Sequence, residues 1–292
     1  MTDFILNNEL TIRLSAFFAI FAIMAAWEVY APRRQRLFSR LQRWTSNLGL
    51  VVLNTLVLRL LFPTAAVGMA AYADAQNWGL LHNVEISDWL KILIAVILLD
   101  LAIYLQHVMV HAVPALWRLH RVHHADPDYD LTTGVRFHPI EIILSMLIKI
   151  ATIAALGPPV VAVIIFEVVL NGMAMFNHGN VKLPHRVDQS LRWLVVTPDM
   201  HRVHHSIEPD ETNSNFGFNL SIWDRLMGTY QEQPRLGQAG MTIGISTLQD
   251  PKLTTRLPGM LLTPFLHFKD IYAINQRTWS AKKAKETSKH EY

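Results

Sequence analysis

The sequence has no cysteine and few charges: 17% of its 292 residues are Asp, Glu, Lys or Arg, against 51% that are hydrophobic. Without cysteine there is no disulfide framework, no thiolate zinc site and no Cys-ligated iron–sulfur cluster, so any metal must be held through nitrogen or oxygen. No recognisable flavin or nicotinamide loop is present either, so electrons for any redox chemistry must come from outside the chain. A mean hydropathy of +0.22 lies above that of an ordinary soluble domain and points to the membrane class. The formal charge is +3. Its basic residues sit largely beside apolar runs, where they serve topology and headgroup contact, and no nucleic-acid partner is expected.

The apolar runs predict the architecture. The N-terminus MTDFILNNEL has no basic region ahead of the first run and no small-residue cleavage site follows it, so that run is expected to be a retained span. It covers about 14–31, with Arg13 and Glu28 expected to snorkel; a second run covers about 48–73 and a third about 89–111. The stretch 140–176 is too long for one helix and is interrupted by Gly157-Pro158-Pro159, which predicts two helices joined by a turn, as full spans or as a shallower hairpin. Arg33, Arg34, Arg36, Arg40 and Arg43 lie between the first two runs, whereas no Lys or Arg precedes Lys91 in the next loop. The first loop is thus expected in the cytoplasm, along with everything after residue 176. The fold predicted is an all-α integral membrane protein of about four or five transmembrane helices with a cytoplasmic histidine-rich helical cap. Its expected divisions are a transmembrane region (1–176) with the first histidine boxes, a cap (177–232) with the last box, and an interfacial segment and charged tail (233–292). Arg59 and Asp100 fall inside apolar runs and are predicted to pair, because an isolated charge at that depth is costly.

Eleven of the 14 histidines fall between positions 107 and 205. His107 and His111 are four apart at the end of the third run, so both imidazoles leave one helix face. His120, His123 and His124 follow within His-Arg-Val-His-His, and the same pentapeptide recurs at 201–205 with His201, His204 and His205. At about one histidine in twenty, the HxxHH spacing arises by chance about once in 10⁴ positions, so two copies point to a shared purpose. His178 adds a ninth candidate on the same side, and His138 and His185 are weaker candidates, as ligands or as hydrogen-bond partners of ligands. His82 is placed on the opposite face, and His267 and His290 in the terminal segment, with no metal role. Nine imidazoles exceed what one ion of four to six ligands can use, which implies two metals; imidazole alone does not say which metal.

The sequence His107-x3-His111, Leu116-Trp117-x2-His120-x2-His123-His124, Thr133-x2-Arg136-x-His138-Pro139-x-Glu141, Asn177-His178, Thr197-Pro198-x2-His201-x2-His204-His205 and Asn215-Phe216-Gly217 leading to Trp223-Asp224-x3-Gly228-Thr229 resembles the fatty acid hydroxylase/sterol desaturase superfamily over about 95–232. The resemblance implies histidine boxes that bind two iron ions, activate O2 and hydroxylate or dehydrogenate a lipid C–H bond. It implies a membrane lipid substrate and a separate electron donor, a ferredoxin, cytochrome or reductase. Asp100, by its depth in the membrane, and Arg136 and Asn215, by their places in these motifs, are the residues expected to support catalysis. Ala125 departs from the serine that many members carry after the first box. Trp223 and Asp224 are expected to anchor the cap by packing and capping. The expected location is a bacterial inner membrane, or the endoplasmic reticulum in a eukaryote, with the site facing the cytoplasm; the oligomeric state is left open. The rival readings are a lipid desaturase with the same site, or a non-catalytic metal or haem protein such as a transporter or bis-histidine electron carrier.

Overall fold

The computed structural model describes residues 8–269 and 271–275; most of the charged tail, with His290, lies outside the described residues. In hydrocarbon every backbone N–H and C=O must be satisfied within its own segment, which turns the apolar runs into helices. In order these are α1 (Glu9–Tyr30), α2 (Arg40–Leu61), α3 (Ala65–Ala75), α4 (Asp88–Ala112), α5 (Pro114–His124), α6 (Pro139–Leu156), α7 (Val160–Asn177), α8 (His185–Leu191) and α9 (Pro198–His204). Five segments are long and apolar enough to cross a membrane: α1, the α2–α3 stretch up to Asn83, α4, α6 and α7. Among the described residues the chain forms no strand beyond isolated bridges, so the all-α membrane architecture is borne out.

The boundaries differ in one run. α2 starts at Arg40, where the Ser39 hydroxyl accepts the N–H of Gln42 at 3.3 Å, and it stops at Leu61 before Phe62-Pro63-Thr64. Pro63 has no N–H with which to continue the helical ladder, so the second run becomes two helices instead of one. Between α6 and α7, Gly157 adopts φ +58. A Cβ there would stand 1.9 Å from the Trp78 carbonyl oxygen and 2.7 Å from the His82 ring, so only glycine lets the 78–83 turn seal this end of the bundle. His82 therefore sits at the end remote from the other histidines.

The buried charges do not behave as expected from the sequence. Glu28 does not snorkel: it is 1% exposed and accepts the backbone N–H groups of Leu131 (2.7 Å) and Asn180 (2.9 Å). Arg59 and Asp100 do not meet. Arg59 is exposed, and the buried Asp100 carboxylate accepts from the N–H groups of Asn219 (3.3 Å) and Leu220 (3.1 Å) and from Trp223 Nε1 (2.8 Å). Three donors from the short stretch 219–223 satisfy the carboxylate, so no cation is needed. The arginines after α1 act as clamps as well as topology signals. Arg43 is fully buried and grips both oxygens of Asp126 (2.8 and 2.7 Å) and one of Asp130. Arg33 holds Asp199 at 3.1 Å, and Arg34 donates to the carbonyls of Gln238 (2.9 Å) and Met241 (2.6 Å). The segment read as interfacial is seated on α5: Arg121 donates to the carbonyls of Thr263 (2.6 Å) and Leu266 (2.7 Å), and Trp117 stacks on Tyr272. Ala125 joins that apolar cluster, where a serine hydroxyl would lie among hydrocarbon.

Candidate metal centre

Four helices deliver the histidines. The last turns of α4 carry His107 and His111, α5 carries His120, His123 and His124, His178 caps the end of α7, and α9 with its C-cap carries His201, His204 and His205. All nine are buried. Their ring nitrogens fall into two groups within which the ligating atoms lie no more than 4.8 Å apart: His107, His111, His120, His124 and His204 in one, and His123, His178, His201 and His205 in the other. The two pentapeptides are used reciprocally. In the first copy the i, i+4 pair His120/His124 goes to one group and the intervening His123 to the other. In the second copy the pair His201/His205 joins His123, while His204 crosses over to His120 and His124.

The hydrogen bonds fix the direction in which each lone pair points. His107 Nδ1 donates to the Phe216 carbonyl (2.8 Å), His204 Nδ1 to the Ser214 carbonyl (2.7 Å), His178 Nδ1 to the Ala174 carbonyl (2.8 Å) and His120 Nδ1 to the Glu141 carboxylate (2.6 Å). A proton placed on Nδ1 leaves Nε2 of a neutral ring as a bare acceptor. Yet His107 Nε2 stands 3.2 Å from His120 Nε2 and 3.1 Å from His204 Nε2, and His178 Nε2 stands 3.1 Å from both His123 Nε2 and His201 Nε2. The lone pairs of His107, His120 and His204, all three with the proton on Nδ1, repel unless a cation lies between them, whereas His123 and His201, whose Nδ1 atoms have no partner, stand around the bare His178 Nε2 at the same spacing. Imidazole nitrogens about 2.1 Å from one ion and at right angles to each other would be about 3.0 Å apart, close to the spacing found, so the residues fit a metal in each group.

Burial also favours the neutral form of six of these rings. It pushes His123, His124, His201, His204 and His205 well below the usual imidazole value, and His178 down to about 3. Neutral imidazoles bind metal without first losing a proton.

Of the other candidates, Arg136 and Asn215 hold backbone next to the nine histidines, while His138 and His185 stand apart from them. Arg136 Nε donates to the Val122 carbonyl in the last turn of α5 (2.8 Å), securing the first pentapeptide. Asn215, at φ +49, donates to the carbonyls of Met200 and Gln231 (2.9 and 2.8 Å) and accepts from Gln231 N (2.8 Å). Asp224 accepts from the N–H groups of Phe216 (2.7 Å) and Gly217 (2.8 Å) and thereby aims the Phe216 carbonyl at His107; burial pushes its carboxyl up to about 6. His138 caps α6, accepting from Ile140 N at 3.2 Å, with its Nε2 3.3 Å from the Leu261 carbonyl oxygen. His185 is exposed at the start of α8, and neither belongs to a group. Asn213, whose Oδ1 lies 3.2 Å from His111 Nδ1, was not singled out from the sequence, and Glu141 was quoted there only as part of a motif, with no role given to it. Glu141 is the only acidic residue in the first turn of α6, but nothing local shows that it faces His120.

A cavity of about 310 Å³ reaches the histidines from within the helical bundle. Its wall takes in His107, His120, His123 and Glu141, the apolar Ile103, Met146, Leu170 and Phe218, the polar Asn54, Gln106, Ser145 and Asn171, and the charged Arg13, Lys149 and Glu167; Lys149 lies about two turns of α6 beyond Glu141, and Glu167 about three turns of α7 before His178. Asp100, Arg136 and Asn215 are not part of its wall.

Comparison with known proteins matches residues 92–229 to the fatty acid hydroxylase family model, which bears out the resemblance carried by the motifs. The chain is 29% identical to an ornithine lipid hydroxylase of Rhizobium tropici, over 50% of this chain and 43% of that protein. It is 30% identical to an alkylglycerol monooxygenase of Xenopus tropicalis, over 51% and 32%, and 26% identical to a cholesterol 25-hydroxylase of Rattus norvegicus, over 51% and 50%. The matched segment thus spans between a third and a half of these relatives' length. No solved structure matches the chain.

Proposed function

We propose, taking residues 92–229 as a fatty acid hydroxylase region, that the chain is a membrane oxygenase that hydroxylates a lipid using O2, two iron ions and electrons from a separate donor. The observation that carries this reading is the convergence of the bare Nε2 lone pairs of His107, His120 and His204 at 3.1–3.2 Å, with His107 and His120 lining a cavity walled by apolar and polar side chains. His107, His111, His120, His124 and His204 would hold one ion and His123, His178, His201 and His205 the other. Bound there, the iron pair supplies an oxidant strong enough for an unactivated C–H bond.

The chain's own groups supply position and exclusion. The Nδ1 hydrogen bonds to Phe216, Ser214, Ala174 and Glu141 lock the rings, as partners of metal-bound histidines commonly do. Glu141, held by His120 through one oxygen, keeps its second carboxylate oxygen without a partner beside the cavity. The wall of Ile103, Met146, Leu170 and Phe218 takes a hydrocarbon chain and keeps water from the reacting carbon. A substrate that enters from within the bundle need not leave hydrocarbon. Hydroxylation is preferred to desaturation because the relatives are named as hydroxylases or monooxygenases. A haem carrier fits poorly: two histidines across a haem iron would hold their nitrogens about 4 Å apart, twice a metal–nitrogen bond of about 2.0 Å.

The site is proposed to face the cytoplasm of a bacterial inner membrane or the endoplasmic reticulum. Metal analysis of the purified protein and mass spectrometry of lipids from cells with and without the gene test the reading together. Two irons per chain without a Soret band and a lipid heavier by one oxygen are expected. A lipid lighter by two hydrogens would make it a desaturase, and an iron-free protein that leaves every lipid unchanged would overturn the reading.

A further inference from the structure

The end of the cavity away from the histidines is built from charge. Glu167 lies midway along α7 and is 3% exposed; its Oε1 accepts from Lys149 Nζ at 3.0 Å and its Oε2 is 3.2 Å from Arg13 Nη2. Ionisable groups inside membrane spans mark function more often than not. Here all three line the cavity that ends at His107, His120 and His123. The wall at this end carries two cations for one carboxylate. Glu9, the other partner of Arg13, meets it from outside the lining. Lys149 has three donors and spends one on Glu167.

The spacing is set by the helices. Lys149 and Glu141 are eight residues apart on α6, about 12 Å along the axis, and Glu167 and His178 are separated by eleven positions, about 16 Å. The wall between mixes hydrocarbon side chains, Met146 on α6 and Leu170 on α7 among them, with the polar Ser145 and Asn171 on the same two helices.

We propose that Arg13, Lys149 and Glu167 form a receiving site for the anionic end of an amphiphile, a carboxylate or a phosphate, which holds the chain so that a carbon about 12–16 Å away lies at the histidines. This inference rests on the reading of the histidine centre as an oxidant of lipids, and it names the substrate class: a single chain with an anionic end remote from the carbon that reacts. With Glu9 counted, two cations face two carboxylates, so it is the unspent N–H donors of Lys149 and Arg13, and no surplus of charge, that give an anionic end charge-assisted hydrogen bonds.

Binding of four radiolabelled probes of equal chain length to the purified, metal-loaded protein tests this: a fatty acid, an alkyl phosphate, a fatty alcohol and an alkyltrimethylammonium. The acid or the phosphate is expected to bind at least about tenfold more tightly than the alcohol or the ammonium, and whichever binds better names the source of the anionic end. Lys149→Met should reduce that preference to about threefold or less and Lys149→Arg should keep it, with metal content as the check on folding. If Lys149→Met fails to hold metal, Arg13→Gln must show the same loss of preference. Equal binding of all four ends, or a preference that survives both Lys149→Met and Arg13→Gln, overturns the site. A preference that is lost in the variants, in a wild-type protein that oxidises no probe when given O2 and a chemical or protein electron donor, would leave this site standing and bring down the lipid-oxidation reading instead.

Discussion

His123 and His124 are neighbours in the chain, yet their rings stand at 88° to each other and belong to different histidine groups. Consecutive residues on α5 leave the axis about 100° apart, since 3.6 residues make a turn. The helix lies between the two groups and serves both, and α9 does the same from the other side with His204 and His205.

That division makes metal loss selective. His204→Ala removes a ring from the group of five and His123→Ala one from the group of four, so each variant should keep about half of the bound metal while lipid oxidation all but stops, since the two ions act together. Metal analysis and a product assay on purified variants read both effects. Full metal and full activity in both variants would mean that the histidine groups are not the metal site.

Glu141 should tune the centre without holding it. Glu141→Gln keeps the shape but takes the negative charge from His120 Nδ1, and losses of about 10–100-fold are usual for such partners of metal-bound histidines. The variant is therefore expected to fold and to hold metal less tightly or turn over more slowly within that range. A variant with wild-type activity and affinity would reduce Glu141 to packing.

His138 and His185 separate a helix cap and a surface ring from ligands. His138→Ala should keep its full metal content and lose about 1 kcal/mol of stability, the usual cost of a lost helix cap, visible as a lower melting temperature. His185→Ala should change neither quantity. Iron lost from His138→Ala would make it a ligand and place it in the centre.

Acid should unfold the metal-free protein early. The folded-state values of His123, His124, His178, His201, His204 and His205 are all lowered from the ordinary imidazole value, His178 to about 3. The unfolded chain therefore binds protons that the folded chain refuses. Their contribution to stability is complete above about pH 6.5 and is lost as the pH falls from there toward about 3. Denaturant titrations of the metal-free protein should be level from pH 7.5 to about 6.5 and decline from there to pH 5; a profile flat throughout would contradict the neutral, buried histidines.

Orientation can be read with single cysteines, since the chain has none of its own. Asn83 and Asp210 are both exposed, whereas Ser206 is 1% exposed and would resist labelling. Asn83→Cys is expected to react with an impermeant reagent from outside the cell and Asp210→Cys only after the membrane is opened, as the arginines between α1 and α2 dictate. Reaction of both from the same side would reverse or break the proposed topology.

Much of this protein was determined by local pattern. Apolar runs of a span's length became α1, α4, α6 and α7, Gly157-Pro158-Pro159 divided the last two, and all nine histidines chosen by spacing and clustering entered the two groups. The break at Pro63 was equally local and could have been read from that proline alone. Tertiary structure decided which histidine joins which group, because that depends on how α4, α5, α7 and α9 cross. It also decided that Asp100 takes donors from Asn219, Leu220 and Trp223 instead of Arg59, that Glu141 faces His120, and that Arg13, Lys149 and Glu167 share a cavity. Each of these joins side chains from separate helices or from a helix and a distant loop. Periodicity tells which face of one helix is buried, but the neighbour of that face is set only when the helices pack.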